Sequence, residues 1–291
     1  MGINVERKKK GLYMKYYTLN DGLKVPAMGM GTYKIEDEKL MEEVIQAALE
    51  LGYEYFDTAK FYNNEAYIGK ALENAPAKRE DYMLATKVWP KDFGIDQTKR
   101  SIDESLKDLR TDYLDVIHLH WFGKDFDKAW KVFMDYKDQG IVKSIAVCNF
   151  MPEQLVKLLE VGEAPSMDQL ESHLFLQDPE TRTFLKENNI KHQAWSPLAR
   201  TRGGLLDEEI LKKLADKYNK TPAQIALRWN IDQGTMVIPK SVHAKRLKEN
   251  IDIFDFELEE CDMHALASLD RKERFSQDPL DEAWLEEIRN M

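Results

Sequence analysis

The chain lacks most of the features that would place a protein outside the cell, in a membrane or on nucleic acid. Its two cysteines, Cys148 and Cys261, lie far apart and have no metal-ligand spacing, which favours a reduced compartment over a disulfide framework. No apolar run approaches the roughly 18 residues that span a bilayer, and no signal-peptide pattern follows the start. The net charge of −10 excludes a broad basic surface for nucleic acid. We therefore expect a cytoplasmic protein without membrane or nucleic-acid partners.

The glycine-rich fingerprint of a Rossmann fold is also missing. Gly29-Met-Gly31 is only a fragment of it, and Tyr33-Lys34 follow where the motif needs its last glycine. No interior linker rich in Gly, Pro or Ser divides the 291 residues. We expect a single domain over residues 16–291, preceded by a polar tail over residues 1–15 that we predict to be mobile.

Short apolar runs alternate along the chain with longer segments of helical period, a pattern typical of an α/β protein with a parallel sheet. A turn signal over Leu19–Leu23 predicts a small N-terminal hairpin, and Thr221-Pro222 predicts the start of a helix over Ala223–Asp232. A further helix, about Glu259–Leu269, and an irregular tail to Met291 should pack outside the repeats. The predicted strands are Ala27–Gly31, Tyr53–Asp57, Tyr82–Lys87, Leu114–His120, Ser144–Val147, Ser166–Leu170, Lys191–Trp195 and Met236–Ile238. Eight such units predict a (β/α)₈ TIM barrel.

Four polar residues stand at or just beyond the ends of these strands: Asp57, Tyr62, Lys87 and His120. Because the carboxyl ends of barrel strands meet at one face, we expect the four side chains to converge there. A nearby ammonium lowers the pKa of a phenol, so Lys87, held by Asp57, could make Tyr62 a better acid. No obvious nucleophile accompanies them, which favours carbonyl reduction by an external hydride over acyl transfer.

Each of the four also has a structural explanation. Asp57 and Lys87 alone could form an ion pair at the barrel rim, Tyr62 could be an ordinary loop aromatic, and His120 could be a core histidine. His118 and His120 share one strand face and could instead bind a metal, as in a barrel metallohydrolase. That site would need further ligands, and neither His173 nor His192 lies at a convincing strand end, so we predict no metal.

Five segments together resemble the aldo-keto reductase family, and the resemblance extends over about residues 15–279. They are Gly52–Gly69, Thr86–Trp89, Asp112–Trp121, Ala194–Leu198 and Ile238–Asn250. The resemblance implies that Tyr62 is the general acid, assisted by Lys87 and Asp57, and that His120 orients the carbonyl. His118 falls where the family usually has leucine or another non-catalytic residue.

The resemblance further implies NADPH as cofactor. Independently of it, Lys240 on a strand end and Arg246 at the opening of a helix suit a phosphomonoester. The implied cofactor-binding residues are Gly31, Thr32, Asp57, Cys148, Asn149, Gln169, Trp195, Ser196, Leu198, Lys240, Ser241, Arg246, Glu249 and Asn250. Departures from the family pattern are Cys148 for serine, Asp168 for asparagine, Ser172 for tyrosine, and Leu174 and Phe122 for prolines.

Tyr33, Trp89 and Trp121 match family positions that wall the substrate pocket. The short segment Gly123–Asp127 suggests an open pocket, like those of prokaryotic members that reduce dicarbonyls or keto-sugar acids. We therefore expect a reductase of small aldehydes, dicarbonyls or keto-sugars, present as a monomer or a weak homo-oligomer. The alternative from another class is a non-catalytic NADPH-binding sensor on the same fold.

Overall fold

The computed structural model describes residues 4–7 and 13–291, and it begins with a small antiparallel sheet. Its strands are β1 Asn4–Arg7, β2 Tyr13–Thr18 and β3 Lys24–Pro26, in the order β1-β2-β3. The predicted hairpin is confirmed: β2 and β3 are joined by a turn in which Gly22 has a φ of 90°. Of the predicted mobile tail, residues 1–3 and 8–12 lie outside the described residues. Asn4–Arg7 pairs with β2, and the mobility of the segment stays a prediction.

Eight parallel strands form the barrel, as predicted from the alternating pattern. They are β4 Met30–Gly31, β5 Tyr55–Asp57, β6 Met83–Val88, β7 Leu114–Leu119, β8 Val142–Cys148, β9 Met167–Glu171, β10 Lys191–Trp195 and β11 Met236–Val237. A parallel bridge between Met28 and Val237 joins the first strand to the last. The observed bounds differ from the predicted ones by at most a few residues, as is usual for strand ends read from hydrophobic pattern.

The helices follow the strands in alternation. They are α1 Glu38–Leu51, α2 Glu65–Asn74, α3 Ile95–Asp108, α4 Phe126–Asp138, α5 Pro152–Leu159, α6 Pro179–Glu187, α7 Glu209–Tyr218, α8 Pro222–Asp232, α9 Ala244–Ile251, α10 Glu260–Ala267 and α11 Glu282–Glu287. The start predicted for α8 is confirmed in detail: Thr221 caps the helix and forms a capping box with Gln224. Among the described residues, no helix is both long and apolar enough to span a bilayer.

The C-terminal segment corrects one prediction. We expected an irregular tail after about Leu269, but residues 282–287 form α11, which Asp281 caps through the N–H groups of Ala283 and Trp284. Leu285 and Ile288 are buried against Trp89 and Trp121, which follow β6 and β7. The tail is therefore ordered because it covers apolar surface beside the carboxyl ends of the barrel strands.

Candidate active site

Lys87 and Asp57 form a buried ion pair at the ends of β6 and β5. The Lys87 Nζ donates to Asp57 Oδ1 over 2.6 Å and to the Thr58 carbonyl over 2.7 Å, and both side chains are almost fully enclosed. The other Asp57 oxygen accepts from Gln169 Nε2 at 2.8 Å. Burial alone would lower the pKa of Lys87, but the charge of Asp57, the hydrogen bond to it and the neighbouring Tyr62 and Cys148 together outweigh burial and keep that pKa above the usual range. The pair therefore fixes an ammonium at this point.

Tyr62 lies in a short loop that is held in place by buried hydrogen bonds. It ends a 3₁₀ turn over Lys60–Tyr62, and the next residue, Asn63, is left-handed with a φ of 53°. The fully buried Asn64 accepts from Thr58 Oγ1 and donates to the carbonyls of Thr32 and Ile35. These bonds connect the segments that follow β4 and β5, so the position of Tyr62 is set by two strand ends.

The electrostatics of Tyr62 differ from the sequence-based expectation. The Lys87 ammonium lies 5.0 Å from the centre of the phenol ring, and it does favour the phenolate. Burial has the larger effect, however, and the pKa of Tyr62 is raised rather than lowered. The prediction of a lowered pKa is wrong for this environment, because the cost of burying a phenolate could not be read from the sequence. Tyr62 therefore carries its proton throughout the neutral range.

His120 follows β7 and faces the same cavity. Its ring lies 5.7 Å from the Tyr62 ring and 4.9 Å from the Trp89 ring, centre to centre. Burial, together with the charge of Lys87, holds the pKa of His120 well below its ordinary value. The imidazole is therefore neutral at physiological pH and can donate a hydrogen bond without carrying a charge.

One large cavity of about 650 Å³ lies at the carboxyl ends of the strands, within the range of small-molecule sites. Asp57, Tyr62 and His120 line it, whereas Lys87 lies behind them, fully enclosed. The predicted convergence of the four side chains is therefore observed. The predicted substrate residues Tyr33, Trp89 and Trp121 line the same cavity.

Most of the predicted cofactor residues also reach the cavity. They are Gly31, Thr32, Asp57, Cys148, Asn149, Gln169, Trp195, Ser196, Leu198, Lys240 and Arg246. Ser241, Glu249 and Asn250 are not brought to its wall. Ser241 Oγ accepts instead from the His243 N–H, and Glu249 accepts from Thr221 Oγ1 at 2.7 Å. For these three residues, cofactor binding stays a prediction without geometric support.

Asn149 connects Trp195 to His120 along the wall of the cavity through two hydrogen bonds. Its side-chain oxygen accepts from Trp195 Nε1 at 3.0 Å, and its amide donates to the His120 carbonyl at 3.1 Å. Asn149 has a φ of 61°, a left-handed conformation that asparagine tolerates better than most residues. The Cys148 thiol, 3.6 Å from Gln169 Oε1, has a pKa raised well above its usual value by burial, so it is a neutral and weak donor.

Several lining residues were missed from the sequence. They are Lys34, Phe61, Pro197, Arg200, Thr201, Arg202, Ile238, Pro239, Ser276, Gln277 and Trp284. Phe61 stacks on Trp89 at 3.9 Å and adjoins Tyr62, so adjacency could have suggested it. The C-terminal tail contributes three of them, Ser276, Gln277 and Trp284, and no local sequence pattern predicts that they line the cavity.

The charge of the cavity is opposite to that of the whole chain. Among the lining residues, the cations are Lys34, Arg200, Arg202, Lys240 and Arg246, and the single acid is Asp57, which already pairs with Lys87. Burial and the charge of Lys34 lower the pKa of Lys240, as expected where cations lie together without anions. This region suits a ligand with several negative charges.

The metal alternative finds no support in the geometry. Among the described side chains, the group whose ligand atoms lie close enough to share an ion is Glu259, Cys261 and Asp262, and it includes neither His118 nor His120. Two of its carboxylates bind the Lys217 ammonium, at 2.9 and 2.7 Å. A lysine therefore already occupies the position that a cation would take.

Comparison with known proteins places this chain in one family. The model of the aldo/keto reductase family matches residues 27–271. The chain is 40% identical to the methylglyoxal reductase DkgA of Escherichia coli, with 90% of this chain and 95% of that protein covered. It is 38% identical to the glyoxal reductase of Bacillus subtilis, with the same coverage.

Comparison with solved structures gives the same family. The aldo-keto reductase of Bombyx mori, solved in complex with NADP, superposes with a TM-score of 0.84 at 28% identity and covers 93% of this chain and 96% of its own. The family match spans most of the sequence, and the two reductases align along nearly their whole length. The protein is accordingly a member of the aldo/keto reductase family, an oxidoreductase built on a parallel barrel.

Proposed function

We propose that the protein is an NADPH-dependent reductase of small aldehydes, dicarbonyls or keto-sugars, in which Tyr62 is the general acid. The observation that carries this proposal is the meeting of Tyr62, His120 and the Lys87–Asp57 pair at one wall of the cavity. The methylglyoxal and glyoxal reductases among its relatives support the substrate class. The relative solved with NADP supports the cofactor.

The cavity fits the proposed cofactor by charge and shape. Lys240 and Arg246 would hold the phosphate on the adenosine side, and Arg246 stands in the first turn of α9, where the helix dipole also favours an anion. The Trp195 ring is partly exposed on the same wall and offers a stacking surface. When bound, the reduced nicotinamide supplies the hydride.

Tyr62 would supply the proton to the carbonyl oxygen. Its raised pKa keeps the proton on the phenol at neutral pH, and the phenolate left after transfer would face the Lys87 ammonium. Because the Lys87 ammonium is fully enclosed, this charge attraction is stronger than it would be in water. Asp57 contributes indirectly, since it holds Lys87 charged and aimed.

His120 would orient the carbonyl. Its Nδ1 is fully enclosed, so Nε2 is the ring nitrogen available to a ligand in the cavity. A neutral imidazole that donates from Nε2 polarises the carbonyl without competing with Tyr62 for the role of acid. The aromatic surface of Phe61, stacked on Trp89, would border the rest of a small substrate.

The variant Tyr62→Phe tests this assignment. We expect it to lose reductase turnover by about a hundredfold to ten-thousandfold, because the general acid is removed, while NADPH binding measured by fluorescence titration changes little. The comparison variant is Tyr33→Phe, which removes another phenol hydroxyl from the same cavity and should cause a much smaller loss. Turnover of Tyr62→Phe close to that of the unaltered protein would refute the assignment of the acid.

A further inference from the structure

His118 is a buried imidazole whose place in the protein is not explained by the reaction described above. It lies on β7 two residues before His120, on the same strand face. It stands opposite Lys87 in the register of β6 and β7 and is fully enclosed. A polar ring inside a barrel is costly unless its nitrogens find partners.

The contacts of His118 define where its proton lies. Its Nδ1 is 3.3 Å from the Thr86 carbonyl oxygen. A carbonyl oxygen can only accept, so Nδ1 carries the hydrogen. Burial and the Lys87 charge lower the pKa of His118 to about 3, so the ring is neutral. Its Nε2 is therefore a bare acceptor, and it has no hydrogen-bond partner among the residues that the structure describes.

His120 presents a second bare acceptor by the same reasoning. Its neutral ring has one hydrogen, and to donate to a carbonyl that hydrogen must be on Nε2. The enclosed Nδ1 is then an acceptor, and no described residue donates to it. Two buried imidazole nitrogens on one strand face thus both need a donor.

We propose that His118 is a positioning residue for His120, because one internal water donates a hydrogen to His118 Nε2 and the other to His120 Nδ1. Such a water satisfies both acceptors at once, and internal waters commonly join buried polar groups that lack protein partners. It fixes the His120 tautomer with its hydrogen on Nε2, toward the cavity. The tautomer assigned to His120 and its consequence for the reaction rest on the proposed function, whereas the need of His118 Nε2 for a donor does not.

The unaltered protein provides the first test. Long-range proton–nitrogen NMR of protein labelled with ¹⁵N-histidine, at neutral pH without ligand, should show His120 protonated on Nε2 and bare on Nδ1. A high-resolution crystal structure should show a water within hydrogen-bond distance of both nitrogens. A proton on His120 Nδ1, or no water between the rings, would overturn the proposal, whether or not the protein proves to be a reductase.

Substitution provides the second test. His118→Leu removes the acceptor at similar volume, and we expect a mixture of His120 tautomers and a kcat lower by roughly tenfold, with NADPH affinity unchanged. His118→Gln retains an acceptor oxygen for the water and should restore most of kcat. The control is His192→Leu, which deletes another buried barrel imidazole away from the cavity and should leave kcat unchanged. A single Nε2–H tautomer and full kcat in His118→Leu would contradict the proposal.

Discussion

At the scale of single residues, burial sets the protonation of the side chains around the site. Lys87 keeps its charge because Asp57 lies 2.6 Å away, whereas burial, together with the charge of that same lysine, keeps His120 neutral. Tyr62 keeps its proton because burial raises its pKa by more than the Lys87 charge lowers it. The site thus combines one fixed cation with two neutral hydrogen-bonding groups, which is the arrangement a proton donor to a carbonyl requires.

Asp168 shows what happens to a buried acid without a partner. It is fully enclosed on β9, and neither oxygen makes a hydrogen bond of normal geometry with a described residue. Burial raises its pKa well above the usual value, and the backbone of Phe150 offsets only part of this. The folded state therefore holds a proton that the unfolded chain releases at lower pH. The resulting cost appears as the pH rises above about 4, the ordinary carboxyl pKa, and grows until the folded pKa is reached.

We predict that Asp168→Asn stabilises the protein more at pH 8 than at pH 5. The gain at pH 8 should be on the order of 1–3 kcal/mol, because the substitution removes the proton-linked cost of a buried carboxyl. Urea unfolding at the two pH values measures it. Asp115→Asn is the matched control: Asp115 is equally buried but bonds Arg79 and Lys143, so its substitution should destabilise. A less stable Asp168→Asn protein at pH 8 would contradict this account.

At the scale of elements, the structural features that could be predicted from the sequence are those set by residues close together in the chain. The strands, the hairpin turn and the Thr221 cap each depend on neighbouring residues, and the four candidate catalytic positions could be predicted because strand ends meet at one face. The tail is different, because the bond from Trp89 Nε1 to the Ile288 carbonyl joins residues 199 positions apart. No local period in the sequence predicts such a contact, so α11, Trp284 and residues 200–202 were missed. The burial of Tyr62 could not be predicted from the sequence either, which is why the direction in which its pKa is shifted was predicted wrongly.

The first turn of α9 gives the prediction at this scale. Arg246 lines the cavity, whereas its neighbour Lys245 does not. We expect Arg246→Ala to weaken NADPH binding by about tenfold to a hundredfold, the usual worth of a charge-assisted hydrogen bond to an anion. Binding of NADH should change much less, because NADH lacks the extra phosphate. Lys245→Ala is the control and should change the affinity for neither nucleotide. If Arg246→Ala weakened the binding of NADPH and NADH equally, the arginine would not contact this phosphate.

At the scale of the whole molecule, an acidic protein encloses a basic cavity. The chain carries a net charge of −10, yet the lining side chains include five cations and one paired acid. Opposite potentials of this kind repel most anions from the surface and concentrate a suitable one in the cleft. A polyanionic cofactor and a neutral carbonyl substrate would both be compatible with this distribution.

The central claim is tested most directly by NADPH oxidation with methylglyoxal as substrate, followed by identification of the product. We predict that one NADPH is consumed for each carbonyl reduced to an alcohol, and that NADPH supports faster turnover than NADH. A protein that binds NADPH with good affinity yet oxidises none with methylglyoxal, glyoxal or small aldehydes would contradict the account. It would then be a non-catalytic nucleotide-binding protein on a reductase fold.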